Sequence, residues 1–251
     1  SIFVGGWHDN SSTFGAVGSF NLFTGSNNWL QVGTNALTLS SDQVGILTDR
    51  IAYTESGAGG NFFIIRDIAS GNIILNEPRV RMDILGYGDS IIALTRESSA
   101  KLLIMNNMGV ICRQTNLGYN LNQGMGTVRI TNGCVFINGL FFQSGYNAFV
   151  EKRNLTTGAL VWRHEIIKGI RCFMDVDPQG NCYSGANIDS GSGKPFQFII
   201  QKLDANKNLI WQKMWTPNNF SQTENAMSGI SVSSKEDIVV IGGTHRVTTS
   251  T

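Results

Sequence analysis

Charge is what this sequence has least of. Asp, Glu, Lys and Arg make up 15% of its residues, where about 25% is usual, and 19 basic against 18 acidic side chains leave a formal net charge of +1. A chain so nearly neutral has no basic footprint for a phosphate backbone, which excludes nucleic acid as a partner. The 41% hydrophobic content, with 10% aromatics, excludes a disordered chain. Long apolar runs are missing too: no stretch nears the roughly 18 residues of a membrane span, so no membrane insertion is expected. Behind Ser1 stands neither a basic n-region nor an apolar h-region, so no signal peptide is expected, and the missing initiator Met points to a processed or excised chain.

Histidine is scarce. His8, His164 and His245 are the three present, and no HxH or HExxH spacing joins them, so neither a metal nor a cofactor is expected. Cys112, Cys134, Cys172 and Cys182 match no CxxC pattern. They read as free, half-buried thiols; in an oxidising compartment one bridge is the alternative, its pairing left open. Helix signals are nearly absent, since no i, i+3, i+4, i+7 stripe lasts three turns while period-two alternation is common, as at Phe198/Ile200 and Gln201/Leu203. The chain is therefore expected to be all-β.

What is abundant is glycine, 29 residues of it, and its placement is periodic. A short apolar strand ending in small or polar residues starts at Ile2, Ile51, Ile91, Val135, Cys182 and Val239, at intervals of 49, 40, 44, 47 and 57 residues. Between these lie strand–turn–strand segments at 20–30, 64–75, 102–112, 150–162 and 199–211, with Gly25, Gly71, Gly109, Gly158 and Asn206 as equivalent turn positions. A tight hairpin needs a residue there that tolerates positive φ. A third strand precedes each member of the first set, joined to it by Asp, Asn, Gly or Pro turn chemistry such as Thr131-Asn-Gly133 and Asp177-Pro-Gln-Gly180. The unit is four strands, a, b, c and d. Four-stranded units repeating every 40 to 50 residues are the signature of a β-propeller of antiparallel blades.

Asp175–Gly185, followed by Phe198–Asp204 and Asn208–Lys213, resembles the β-propeller repeat of bacterial secreted and surface proteins; Leu155–Trp162 more loosely resembles the blade motif of pyrroloquinoline-quinone dehydrogenases. The resemblance is clear in the last two repeats and degenerate in the first three. It implies blade packing and says little about activity. Within it Trp29, Trp162 and Trp211 occupy one place in strand d and are expected to pack between blades.

The chain reads b-c-d, then four full units, then a-b, 21 strands in all. Residues 1–251 are expected to form one propeller domain, a possible segment of a longer chain. Either five blades close, with the C-terminal strand a (Gly229 to Ser234) completing the first, or the ring is larger and a sixth blade has begun; the sixth blade is the preferred reading. Strand alternation puts the d-to-a and b-to-c connections on one edge and the tight a-to-b and c-to-d turns on the other. All the long connections, including Trp7 to Phe14, Phe141 to Asn147, Ile188 to Pro195 and Trp215 to Asn225, fall in the first set, so that edge is the candidate binding surface. Its candidate residues are Trp7, His8, Phe142, Tyr146, Asp189, Lys194 and Trp215. Exposed aromatics among Asn, Ser and Gly suit protein recognition or sugar stacking.

Catalytic constellations are missing. Asp175-x-Asp177-x-x-Gly180 and Asp204-x-Asn206-x-Asn208 resemble the start of calcium loops, yet lack the closing acid and fall at hairpin turns that want these residues anyway. No carboxylate pair stands at equivalent loop positions for glycoside chemistry, and no GxSxG elbow occurs. The expectation is a non-enzymatic interaction or structural module of a secreted, cell-surface or virion protein, binding a protein partner or assembly neighbour. A carbohydrate-binding propeller is the alternative, and an enzyme domain of quinoprotein or sugar-processing type the third reading.

Overall fold

The computed structural model describes residues 2–9, 13–20, 23–24, 26–32, 44–57, 60–80, 82–95, 97, 99–119, 126–142, 146–188, 197–215, 223–233 and 238–246. Among them every regular element is a strand, and 21 strands form six antiparallel sheets. The chain divides into two compact units, Ser1–Asn120 and Leu121–Thr251.

The first unit opens with a three-stranded sheet of β1 (Ile2–Asp9), β2 (Thr13–Phe20) and β3 (Asn27–Val32). The second sheet is β4 (Gly45–Ile46), β5 (Arg50–Gly57), β6 (Gly60–Asp67) and β7 (Ile73–Pro78). The third is β8 (Met82–Tyr87), β9 (Ser90–Thr95), β10 (Lys101–Asn106) and β11 (Ile111–Asn116). The second unit holds a fourth sheet of β12 (Thr127–Thr131), β13 (Cys134–Phe142), β14 (Tyr146–Asn154) and β15 (Leu160–Ile167). The fifth is β16 (Gly169–Val176), β17 (Cys182–Ile188), β18 (Gln197–Leu203) and β19 (Leu209–Trp215). Finally β20 (Thr223–Val232) pairs with β21 (Ile238–Arg246) from Thr223↔Arg246 to Val232↔Ile238. Each sheet runs in chain order, so the b-c-d, four a-b-c-d, a-b grouping holds strand for strand. The strand left over in a five-blade count is the b strand of a sixth sheet.

Strand b explains the shortage of charge. Ile51–Thr54, Ile91–Thr95, Val135–Leu140 and Cys182–Ala186 are buried at every position. A strand covered on both faces reads as a continuous run of apolar and small residues, because neither face can shed a charge into water. In the first unit the second and third sheets meet through Phe63, Ile65, Ile84, Ala93, Leu103 and Met105. In the second unit Phe136, Val150, Trp162, Met174, Ile199 and Leu203 fill the space between the fourth and fifth sheets.

One contact recurs between neighbouring sheets. The Trp29 Nε1–H donates to the Ile68 carbonyl at 2.7 Å, and the Trp162 Nε1–H to the Ala205 carbonyl at 3.1 Å. In both cases a strand-d indole clamps the c-to-d turn of the next sheet. Where the repeat has Leu75 instead, its side chain covers Gly109 of the following turn, and a Cβ there would come within 2.5 Å of it. Trp211 packs edge-on against Tyr183 of its own sheet at 6.4 Å.

Gly71, Gly109 and Gly158 adopt φ of 72°, 79° and 74°, as the turn positions require. In the fifth sheet the residue with positive φ is Lys207 (76°) and not Asn206. The turn is counted from the Asp or Asn that opens it: Lys207 N–H donates to the carbonyl of Asp204, three residues back, as Gly109 N–H does to Asn106. The four cysteines are free, Cys172 and Cys182 buried, Cys112 exposed. Cys172 lies opposite Ala186 and Cys182 opposite Val176, four residues apart along the ladder and about 13 Å, too far for a bridge.

Candidate functional site

In the second to fifth sheets the a-to-b and c-to-d turns are as tight as expected, and each c-to-d turn there is opened by an acceptor side chain. Asp67 Oδ1 accepts from Ser70 N–H, Asn106 Oδ1 from Met108 and Val110, Asn154 Oδ1 from Thr157, and Asp204 Oδ1 from Asn206 and Asn208. These bonds favour the ionised form, so the Ser70 amide and hydroxyl hold the Asp67 carboxyl below its usual range, and the Asn208 side chain does the same to Asp204. The calcium-like spacing at Asp204 is thus turn chemistry. At Asp177 the carboxylate accepts from Asn181 N–H, Asn181 Nδ2 and Tyr183 Oη. Asp175 is used differently: it takes Arg129 Nε at 2.9 Å and Val232 N–H at 2.9 Å, linking strand a of three successive sheets. Among the described residues no three His, Cys, Asp or Glu side chains converge on a common point.

The opposite edge is more strand-like than its sequence suggests. Ladder pairing runs to Trp7↔Gly15, His8↔Phe14 and Asp9↔Thr13, so Trp7 and His8 sit on β1 rather than in a loop. Phe142 ends β13 opposite Tyr146, which begins β14, and Trp215 ends β19 opposite Phe198. The physical reason is backbone satisfaction: each added ladder pair occupies N–H and C=O groups that a loop leaves to water. For these five residues the backbone alone is described. Asp189 and Lys194 lie outside the described residues, as do the side chains of His8 and His245.

From this edge a cleft of about 290 Å³ runs along the third sheet, lined by Arg79, Val80, Met82, Thr95, Glu97, Lys101, Leu103, Ile111 and Gln114. Arg79 and Val80 belong to the d-to-a connection between β7 and β8; Thr95, Glu97 and Lys101 flank the b-to-c connection between β9 and β10. Val80, Met82, Leu103 and Ile111 supply an apolar lining. Arg79 is tethered on every side: its guanidinium pairs with Glu77 at 2.8 Å, donates to the Gly109 carbonyl at 3.2 Å and lies 5.3 Å above the Phe63 ring. Thr95 is buried and hydrogen-bonds both ways, accepting from Lys101 N–H at 2.8 Å and donating to Glu97 at 3.0 Å. Glu97 also meets Lys101 Nζ at 3.1 Å. The result is an apolar slot rimmed by fixed charges of both signs, able to seat an uncharged or zwitterionic group. These residues escape a reading that weights aromatics, because the segment carries none; the surviving signal is the run of polar side chains just past Pro78 and just past Leu94.

Buried charge elsewhere is structural. Glu151 is wholly buried and holds Arg153 at 2.6 Å and Arg163 at 2.8 Å, with Arg153 also reaching the Gly158 carbonyl. Arg66 does the same work in the second sheet, donating to Tyr53 Oη and to the Gly71 carbonyl. Burial pushes the Tyr53 phenol up to about 12, and Glu55 beside it is raised for the same reason. His164 meets Gln201 at 2.9 Å between the fourth and fifth sheets.

No family model and no curated protein matches the sequence. Solved structures do match in fold. A hydrazine synthase of Kuenenia stuttgartiensis superposes with a TM-score of 0.65 at 11% identity, over 92% of this chain and 70% of that one. Hsv2 of Kluyveromyces lactis gives 0.55 at 11%, over 92% and 65%. A prolyl endopeptidase gives 0.54 at 13%, over 97% and 38%, so this chain spans well under half of that enzyme. All three contain β-propellers, and the fold of this chain is a β-propeller. The expectation that it is not an enzyme is corrected by the same finding, since two of the three are enzymes. Its ground, that no catalytic motif is legible in the sequence, fails physically: on this fold side chains distant in sequence meet at one edge, so linear spacing does not report them.

Proposed function

We propose that residues 1–251 form one propeller domain that recognises a partner at the edge where the b-to-c and d-to-a connections emerge, through the cleft of Arg79, Glu97, Lys101 and Gln114. The observation that carries this reading is the rim itself. Arg79 and Thr95 are held by several bonds each, so little side-chain entropy remains to be lost when a ligand docks. The apolar lining takes a side chain and the rim takes its peptide groups, which makes a protein or peptide segment the occupant of choice. The setting is that of a secreted protein, a cell surface or a virion, and rests on the resemblance at Asp175–Lys213.

Peptides selected by phage display on the immobilised protein test the proposal. Peptides that lose about tenfold or more in affinity for Lys101→Glu and Gln114→Ala, while binding Lys207→Gly, a change in the c-to-d turn of the fifth sheet, unchanged, bear it out. Selected peptides indifferent to both cleft changes refute it.

A further inference from the structure

Among the described residues no further strand pairs with the outermost strand of any blade, and two of the four-stranded sheets guard theirs. β7 ends in Glu77 and Pro78 and β15 carries Arg163 and Glu165, whereas β11 carries the one charge of Arg113. Charges and proline on an edge are what keep strands from adding to it. β19, Leu-Ile-Trp-Gln-Lys-Met-Trp, has a single charge and no proline. It is the last strand of its sheet, and Leu209, Ile210 and Met214 are 51%, 55% and 52% exposed. Its composition also matches that of self-associating strands.

We propose that β19 is a strand-addition edge whose occupant is β19 of a second copy of this chain, paired antiparallel about a two-fold axis through Gln212. The segment is self-complementary in that register and in no neighbouring one. With Gln212 opposite Gln212, Lys213 falls opposite Trp211, Ile210 opposite Met214 and Leu209 opposite Trp215. The pairs are ammonium on indole, two apolar pairs and an amide pair, each favourable across strands. Centring on Lys213 instead places two ammonium groups face to face, and centring on Trp211 puts Lys213 opposite Leu209. Pairing over seven residues adds about six to eight backbone hydrogen bonds and buries less than a standard interface, so the dimer is weak and forms at high protein concentration. β19 shares no residue with the cleft of the third sheet.

Sedimentation velocity over a concentration series and a cysteine cross-link test it. The wild-type protein should shift from monomer to dimer as concentration rises. Met214→Lys should weaken that dimer by about tenfold or more, and Ile111→Lys, the same kind of change on the edge of β11, should leave it unaltered. In a Cys112→Ser background, Gln212→Cys should oxidise to a covalent dimer, since directly opposed Cα atoms lie about 4.5–5.5 Å apart. Met214→Cys should not, because its two copies stand four residues out of register. A wild-type protein that stays monomeric to millimolar concentration, including one whose edge takes a foreign strand, overturns the proposal. So does a dimer weakened equally by both lysines, or equal cross-linking at 212 and 214.

Discussion

Replacing Trp162 by Phe separates the two parts of the inter-sheet clamp. The indole is 9% exposed, meets the Phe136 ring edge-on at 5.9 Å and donates to the Ala205 carbonyl at 3.1 Å. Phe keeps a ring but loses the N–H, a net loss of about 1 kcal/mol. Lys152 Nζ still donates to the same carbonyl at 3.0 Å, so no acceptor is stranded. The smaller ring costs about another 1 kcal/mol in packing, and Trp162→Phe should therefore destabilise by about 2 kcal/mol. Trp162→Ala, which removes the ring as well, should cost about 3–5 kcal/mol. Because Trp162 and Lys152 share one carbonyl, the double change Trp162→Phe/Lys152→Met should exceed the sum of the singles by about 0.5–1 kcal/mol. Urea unfolding followed by far-UV circular dichroism measures these values. Amide exchange at Asp204 and Lys207, whose N–H groups close the clamped turn, should accelerate in the same order. A Phe variant as unstable as the Ala variant, or a double mutant that is merely additive with unchanged exchange in the turn, refutes the clamp as a hydrogen-bonded device.

Lys207→Gly should raise stability by about 0.5–1 kcal/mol in the same assay, since φ of 76° strains a residue with a Cβ more than the added chain entropy of glycine offsets. The lowered carboxyls of Asp67 and Asp204 stabilise the fold above the ordinary carboxylate range, and that contribution is lost as pH falls through their folded values. Asp204→Asn should accordingly flatten the fall of Tm below about pH 4. Glu55, raised by burial, has the opposite sign: its contribution is present at low pH and lost as pH rises, so the Tm advantage of Glu55→Gln should grow from pH 4 to pH 7. In thiol labelling of the native protein Cys112 should react first, while Cys172, buried and with its thiol pushed up to about 12, should react only on unfolding; fast native labelling of Cys172 would contradict its burial.

Local chemistry by itself determined the four-strand unit, its turn residues and its order. Period-two patterning, Asp or Asn before each c-to-d turn and glycine where φ is positive are properties of a few adjacent residues, and they are legible wherever they recur. Among the described turns the misplaced one, Asn206 for Lys207, errs by a single residue, because a lysine in the left-handed region announces itself only through the bond that Asp204 makes; Gly25 lies outside the described residues. Strand length at the working edge was not legible: Trp7, His8, Phe142, Tyr146 and Trp215 read as loop because polar and aromatic residues stand there, but ladder pairing across the hairpin keeps them in strands. The cleft was invisible for a related reason. Arg79 and Gln114 are 35 positions apart, and only the stacking of one sheet on the next brings them to the same slot. Whether a strand edge is guarded or open likewise depends on which strand ends its sheet. Sequence specifies the blade because the blade is built from neighbours along the chain; the tertiary structure decides the surface because the surface is built from neighbours across it.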